Sequence, residues 1–232
     1  MMIRNRETTV GAIVAELPKA NELFTKYGID FCCGGHRRLA EVMEQQGLES
    51  EKIYQELQTL KEERELSYTG SQFAEMSVEA LTDYIEDTHH SYLRGALPDI
   101  AELLATILRV HGLNHKELFE IYRLFGTLKT DLEQHLFKEE AMLFPTMEES
   151  IGKESQIKEL ATEIIREHEG AGILLERMRA LTKNYQVPAD TCATFAKTYA
   201  MLEELEKDLH QHIHLENNIL LKKYDYRSVT IA

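Results

Sequence analysis

A spacing of four residues between histidine and glutamate occurs twice in this chain, joining His135 to Glu139 and His212 to Glu216. On an α-helix, residues four apart lie on the same face, one turn from each other. Two such helices that face each other would direct two imidazoles and two carboxylates at a common centre. The repeated spacing therefore predicts a helical bundle that holds a pair of metal ions bridged by carboxylates.

The composition also favours helices, because the 232 residues include only 4 prolines and 12 glycines and show little of the alternation typical of strands. With 43% hydrophobic and 28% charged residues, the chain is expected to be globular rather than disordered. The net charge of −14 argues against nucleic acid and against an anionic membrane surface as partners. The predicted fold class is all-α.

The sequence carries no pattern of export or membrane insertion. No apolar run approaches the length of a membrane span, and residues 1–10 do not resemble a signal peptide. The three cysteines are an odd number and two of them are adjacent, so they do not indicate a disulfide framework. The expected location is the reducing cytoplasm.

A linker is predicted between two regions of different pattern. Residues 1–66 predict a small helical domain that contains the adjacent cysteines, and residues 67–76 predict the linker. Residues 77–232 hold four long amphipathic segments with short connections, at about 78–112, 115–150, 154–184 and 189–224. Short connections between long helices indicate antiparallel neighbours, so we predict an up-down-up-down four-helix bundle. Pro98 is expected to kink the first helix or to mark a local defect.

Polar residues interrupt the apolar seams of all four segments. They are a histidine in the first, His135 and Glu139 in the second, His168 in the third, and His212 and Glu216 in the fourth. Burying imidazoles and carboxylates costs free energy unless another group neutralises them. One pair alone would indicate a surface ion pair, and a lone seam histidine would indicate a satisfied core residue. Two pairs in phase with two seams favour a dinuclear metal site instead.

The ligand from the first segment stays open between His89 and His90, because the register of this helix cannot be fixed to one residue. His111 shares a seam with His90 but lies roughly 30 Å along a straight helix, so both cannot bind one centre. In the fourth segment, His210 and His214 point away from the seam, and neither has a carboxylate four residues further on.

The ligand chemistry narrows the choice of metal. Imidazole and carboxylate ligands suit iron, manganese or zinc, and bridging carboxylates with terminal histidines favour a di-iron centre. The spacing differs from the Glu-x-x-His spacing of ferritin-like bundles. Three carboxylates adjoin the candidate ligands in the sequence. They are expected either to accept hydrogen bonds from the ligands outside the metal site or to face solvent: Glu140, Glu167 and Glu169.

Cys32 and Cys33 form a second candidate site, in a turn-rich loop that continues with Gly34 and Gly35. Adjacent thiols in a flexible, exposed loop suit metal transfer, a redox relay or contact with the cluster of a partner. The structural alternative is a turn with buried thiols. A disulfide between neighbouring residues is strained, so the reduced state is expected. Cys192 is expected to be a packing residue.

The chain resembles a known family in two segments that together cover nearly its whole length. Residues 78–224 resemble a hemerythrin-like domain, in which a carboxylate follows histidine by one turn, as in HIHLEN at residues 212–217. Residues 23–35, which end in DFCCGG, resemble the small N-terminal domain of the repair-of-iron-centres (ScdA-type) di-iron proteins.

This resemblance implies a non-haem di-iron site with four histidines and two bridging glutamates, in which the irons are oxo-bridged when oxidised. Matched position by position, the terminal ligands and then the bridges are His90, His135, His168, His212, Glu139 and Glu216. The family pattern selects His90 over His89. Cys32 and Cys33 remain the candidates for catalytic residues.

The resemblance also implies repair of iron-sulfur clusters damaged by oxidative or nitrosative stress. Iron donation and reduction of nitric oxide to nitrous oxide both stay open, and only the second would make the protein an enzyme. The implied partners are damaged or apo iron-sulfur proteins, nitric oxide or dioxygen as small ligands, and a second copy of the chain in a homodimer.

Two further classes compete with the repair function. A non-enzymatic carrier or sensor of dioxygen or nitric oxide would not need the cysteine-containing domain. A structural or regulatory helical protein would not need histidine and glutamate pairs in phase with two seams. Iron transfer to an apo cluster protein would separate the repair function from the carrier.

Overall fold

The computed structural model describes residues 7–67 and 72–224, which are predominantly helical. No strand occurs in these two ranges, where one isolated bridge joins Thr9 to Arg38. The prediction of an all-α protein is confirmed. None of the helices in these ranges is long and apolar enough to cross a membrane.

The first of two compact units comprises residues 1–81 and 210–232. Its complete helices are α1 (Val10–Glu16), α2 (Ala20–Lys26), α3 (Leu39–Gln45), α4 (Ser50–Ser67) and α5 (Gln72–Glu75). The hydroxyl of Thr9 accepts a hydrogen bond from the backbone N–H of Ala12 at 3.3 Å and thereby caps α1. Gly28 ends α2 with a φ of 65°, a conformation that favours glycine.

Apolar side chains from the first four helices and from the C-terminal part of the chain form the core of this unit. Among its buried members are Ile13, Phe24, Met43, Ile53 and Ile213. A 3₁₀ turn, Cys33–His36, connects α2 to α3. The adjacent cysteines therefore lie against a formed core, because Cys32 belongs to this same cluster.

The second compact unit comprises residues 82–209, which fall within the predicted bundle of residues 77–232. The helices that contribute to it are α6 (Val78–Ile85), α7 (Ser91–His111), α8 (Glu117–Lys138), α9 (Phe144–Glu148), α10 (Glu154–Leu181) and α11 (Ala193–Leu215). Helix α8 packs against both α7 and α10. One apolar core receives side chains from α7, α8, α10 and α11, including Leu97, Phe125, Leu175 and Leu205.

Within residues 72–224, three π-helical turns interrupt the long helices: π1 (Glu86–His90), π2 (Glu139–Leu143) and π3 (Glu216–Leu220). Such turns are rare and frequently occur at functional sites. Each carries a candidate ligand at one end, since His90 closes π1 while Glu139 opens π2 and Glu216 opens π3. Helix α7, by contrast, continues through Pro98 without a change of helix type.

The predicted domain boundaries, 1–66, 67–76 and 77–232, stay a prediction. Within the predicted linker, α5 is helical, and residues 68–71 lie outside the described residues. The fourth bundle helix begins at Ala193 rather than near residue 189, because the connection after α10 is not helical as far as Cys192.

Candidate metal centre

Four candidate ligands meet inside the second unit: His90, His135, Glu139 and His168. Oε2 of Glu139 lies 3.2 Å from Nε2 of His135 and 3.4 Å from Nε2 of His90. Nε2 of His168 lies 3.1 Å from Nε2 of His135. All four side chains are buried, and the ligand atoms of His135, Glu139 and His168 lie within 4.8 Å of one another.

The carboxylate of Glu139 indicates what this cluster can hold. The residue is fully buried, and neither of its oxygens accepts a hydrogen bond from any residue that the structure describes. A buried carboxylate without donors is costly unless a cation compensates it. The surrounding imidazole nitrogens suit a borderline metal such as iron, manganese or zinc. The residues present therefore fit a bound metal.

Two carboxylates behind the imidazoles fix how these rings are protonated. Nδ1 of His90 donates to Glu140 at 2.7 Å, and Nδ1 of His135 donates to Glu167 at 2.8 Å. A carboxylate can only accept, so the proton lies on Nδ1 and the lone pair of Nε2 points inward. Histidines that bind metals are oriented in this way. Glu169, which the sequence placed in the same class, is exposed.

Cations contact both of these carboxylates on their outer sides. Arg94 contacts Glu140, and Lys138 contacts both Glu163 and Glu167. Burial alone would raise the pKa of Glu167, but the hydrogen bonds from His135 and Lys138 lower it to about 2. An ionised acceptor therefore stands behind the His135 imidazole at neutral pH.

The first unit contains the other predicted pair. Nε2 of His212 lies 2.9 Å from Oε1 of Glu216, and both side chains are buried. The ring of Phe31 contacts His210 and His214, which lie on a different face of the same helix. Burial lowers the pKa of His214 to about 4, so this imidazole is neutral at neutral pH.

Two further histidines have partners of their own within the second unit. Nδ1 of the buried His89 bonds to Asp208 at 2.8 Å, whereas the neighbouring His90 faces Glu139. Nε2 of His111 lies 3.3 Å from Sγ of Cys192. The structure thus distinguishes His89 from His90, which helical periodicity alone could not do.

The prediction that Cys192 is a packing residue is wrong, because this side chain is exposed. Its hydrogen bond with His111 lowers the pKa of the Cys192 thiol to about 7, and backbone N–H groups at the start of α11 act in the same direction. No pattern in the sequence pointed to this pair, since His111 and Cys192 lie far apart along the chain and meet only in the fold.

The segment of residues 30–35, here named the thiol loop, is more enclosed than the sequence suggested. Cys32 is buried and Cys33 is half-buried, so the expectation of an exposed loop is wrong for Cys32. Asp30 accepts hydrogen bonds from the N–H of Cys32 (3.0 Å), the thiol of Cys32 (3.3 Å) and the N–H of Gly34 (2.8 Å). The hydrogen bond with Cys33 and burial raise the pKa of Cys32 well above its ordinary value.

The thiol loop also offers ligand atoms of its own. One ligand atom each from Asp30, Cys32 and Cys33 lie within 4.8 Å of one another. A metal here would have to displace the Cys32 proton, because thiols bind metals as thiolates. The bundle cluster differs, because His90 and His135 donate from Nδ1 to carboxylates and direct Nε2 inward.

A helical bundle whose buried seam directs imidazoles at an uncompensated carboxylate defines a cation-binding helical protein. The sequence matches the family model described as Hemerythrin HHE cation binding domain over residues 81–224. Residues 6–61 match the model ScdA_N, described as a domain of unknown function (DUF542).

Curated relatives extend over nearly the whole chain. The iron-sulfur cluster repair protein ScdA of Staphylococcus epidermidis is 31% identical over 221 residues, covering 94% of this chain and 98% of its own. ScdA of Staphylococcus haemolyticus is 29% identical over 226 residues, covering 96% and 100%. The iron-sulfur cluster repair protein YtfE of Escherichia coli is 32% identical over 219 residues, covering 94% and 96%.

The chain therefore belongs to the hemerythrin-like family of iron-sulfur cluster repair proteins, and the resemblance found in its sequence is confirmed. Membership of the hemerythrin family implies a non-haem iron site. The buried His and Glu side chains described above have the chemistry to hold a metal.

Proposed function

We propose that this protein repairs iron-sulfur clusters damaged by oxidative or nitrosative stress, and that a non-haem di-iron centre carries this function. The supporting observations are the printed names of the relatives and the buried Glu139 carboxylate with its inward-facing imidazoles. Damaged or apo iron-sulfur proteins are the corresponding partners. Nitric oxide or dioxygen as small ligands, a homodimer and a cytoplasmic location belong to the same proposal.

The proposed ligand set has six members, four terminal histidines and two bridging glutamates: His90, His135, His168, His212, Glu139 and Glu216. Oε2 of Glu139 lies near imidazoles from two elements of the bundle, which suits a bridging carboxylate. Glu216 lies one turn after His212, as Glu139 does after His135, which supports equivalent roles. An oxo bridge in the oxidised state is part of this proposal.

The protein's own residues orient the ligands and exclude water. Glu140 and Glu167 keep the Nδ1 protons of His90 and His135 on the outer side, so the Nε2 lone pairs stay directed inward. When bound, the irons would supply either exchangeable metal or the two electrons that, with two protons from solvent, reduce two molecules of nitric oxide to one of nitrous oxide and one of water.

The alternative is a non-enzymatic carrier or sensor of dioxygen or nitric oxide. The ScdA_N segment argues against it, because the carrier function uses the bundle alone and gives no task to a second unit with a thiol loop. In the repair function, by contrast, Cys32 and Cys33 are the candidates for transfer chemistry.

The first test is iron content on anaerobically purified protein, together with an ultraviolet-visible spectrum. About two irons per chain with di-iron absorption is the expected result. Glu139→Leu should lose the metal without unfolding, because leucine suits the apolar seam. Glu169→Leu is the matched control, since this neighbouring glutamate is exposed and should keep its iron.

The second test measures iron transfer to an apo iron-sulfur protein and consumption of nitric oxide in the same preparation. Transfer or nitric oxide reduction that disappears in Glu139→Leu and persists in Glu169→Leu supports the proposal. Full iron content in Glu139→Leu would contradict the ligand assignment, and an iron-loaded protein that only binds dioxygen or nitric oxide reversibly would favour the carrier.

A further inference from the structure

Asn218, in the C-terminal part of the chain, binds the thiol loop through its side chain. It is buried, and its Nδ2 donates to the backbone carbonyls of Phe31 at 3.3 Å and Cys32 at 3.1 Å. All three residues belong to the first compact unit. Buried hydrogen bonds of this kind fix a loop because the carbonyls would otherwise lose their partner.

Two glycines leave the space that the Asn218 amide occupies. A Cβ at Gly35 would lie 2.6 Å from Oδ1 of Asn218, and a Cβ at Gly11 would lie 2.2 Å from the same atom. Neither glycine has a positive φ, so the requirement is for space rather than for backbone conformation. The structure therefore contains a slot, defined by Gly11, Gly35 and the amide of Asn218.

The same short turn carries Asn218 and a proposed iron ligand. Glu216 is the first residue of π3 and Asn218 is the third. An α-helix turns by about 100° per residue and the wider π turn by less, so conversion of π3 to regular α-helix would rotate Asn218 relative to Glu216 by a few tens of degrees. The π geometry thus sets the direction of Asn218 relative to Glu216, and the slot fits only one direction.

We propose that Asn218 is a positioning residue for the thiol loop, and that it links the accessibility of Cys32 to metal binding by Glu216. A ligated Glu216 holds π3 in place, Asn218 stays in its slot, and the Cys32 thiol remains buried against Asp30. Loss of the metal frees π3, releases the amide and opens the loop. The metal-dependent half of this proposal rests on the proposed function, whereas the slot itself does not.

The test is the rate at which each cysteine is alkylated by N-ethylmaleimide, measured by mass spectrometry on the full-length protein. In iron-loaded Asn218→Ala, Cys32 should react about tenfold faster than in the wild type, because two hydrogen bonds of the loop are lost. The exposed Cys192, in the other unit, is the internal reference and should keep its rate. Iron content should not change.

Asn217→Ala is the matched control, since this half-buried asparagine precedes Asn218 on the same turn. It should leave the rate at Cys32 near the wild-type value. An unchanged Cys32 rate in Asn218→Ala would overturn the proposal. So would an equal increase at Cys192, or an equal effect of Asn217→Ala, because either would indicate general loosening.

Removal of iron by a chelator tests the link to the metal. The rate at Cys32 should rise several-fold in the wild type and remain nearly constant in Asn218→Ala, which has already lost the coupling. Equal rates with and without iron would contradict the link while leaving the proposed function intact. A protein that never contains iron would contradict the proposed function, and the comparison of Asn218→Ala with the wild type would still test the slot.

Gly35→Ala tests the slot from the opposite side and does not depend on the folding of Asn218→Ala. The new methyl group should expel the amide and raise the Cys32 rate by a similar factor. In the Asn218→Ala background, Gly35→Ala should add almost nothing, because the atoms that it would meet are gone. Independent effects that multiply in the double variant would contradict the contact.

Discussion

The buried imidazoles of the bundle and the buried thiol of the thiol loop differ in where their protons lie. His90 and His135 donate from Nδ1 to carboxylates, so Nε2 is the nitrogen that each ring directs at Glu139. The Cys32 thiol instead donates to Asp30, and its pKa is raised by the hydrogen bond with the neighbouring thiol and by burial. The first arrangement is ready for a cation, whereas the second must first lose a proton.

This difference indicates that burial alone does not make a metal site. The decisive feature is a set of inward-facing lone pairs without donors, which the bundle has at Glu139 and the thiol loop lacks at Asp30. We therefore expect resident iron in the bundle, and at most transient metal at the cysteines.

The largest expected effect separates the two regions directly. Glu139→Leu should lower the iron content strongly, because it removes a proposed bridging ligand from the bundle. The double variant Cys32→Ala with Cys33→Ala should retain the wild-type iron content while iron transfer or repair declines. Iron analysis and a transfer assay on the same samples check both outcomes. Loss of iron in the double cysteine variant would show that the two regions do not act separately.

A smaller loss of metal affinity is expected from a change to a residue that hydrogen-bonds a proposed ligand. Glu167→Gln removes the ionised acceptor of the His135 Nδ1 proton, and loss of such a partner typically lowers metal affinity about 10- to 100-fold. Competition with a chelator measures the affinity, and Glu169→Gln is the exposed control. If both variants bind iron as tightly as the wild type, Glu167 does not position the ligand.

The periodicity of the sequence predicted the bundle and the seam positions of His135, His168 and His212, because apolar spacing and one-turn pairs follow from helix geometry alone. It did not reveal the π turns, because each extra residue only shifts the phase of the short apolar pattern that follows, as in π2, where Met142 is exposed and Leu143 is buried. The sequence instead suggested a defect at Pro98, through which α7 continues. The turns of changed helix type lie instead at the candidate ligands His90, Glu139 and Glu216.

Contacts between distant parts of the chain could also not be predicted from the sequence. The two glycines after the cysteines suggested a flexible loop, yet Gly35 is required for the space that Asn218 fills. The pairing of His111 with Cys192 was missed for the same reason, because a lone cysteine shows no partner until the fold supplies one. Spacing rules identify neighbouring residues on one helix and cannot identify contacts between residues that lie far apart in the sequence.

The smallest predicted effect concerns the pair of His111 and Cys192. It compares the exposed thiol of Cys192 with the buried thiol of Cys32. Cys192 is exposed with a pKa of about 7, because His111 and the backbone at the start of α11 stabilise its thiolate. His111→Phe keeps a ring against Phe195 but removes the nitrogen. The pH midpoint of Cys192 alkylation should then rise towards 8.5, and the rate at pH 7 should fall about tenfold.

His115→Phe is the matched control, since this ring also contacts Phe195 but is not the hydrogen-bond partner of the thiol. It should leave the pH midpoint at about 7, and the rate at Cys32 should stay low in both variants. A midpoint that does not move in His111→Phe would mean that the helix terminus alone activates Cys192. The contrast between the two thiols would then arise from their exposure and backbone surroundings, without a contribution from the imidazole.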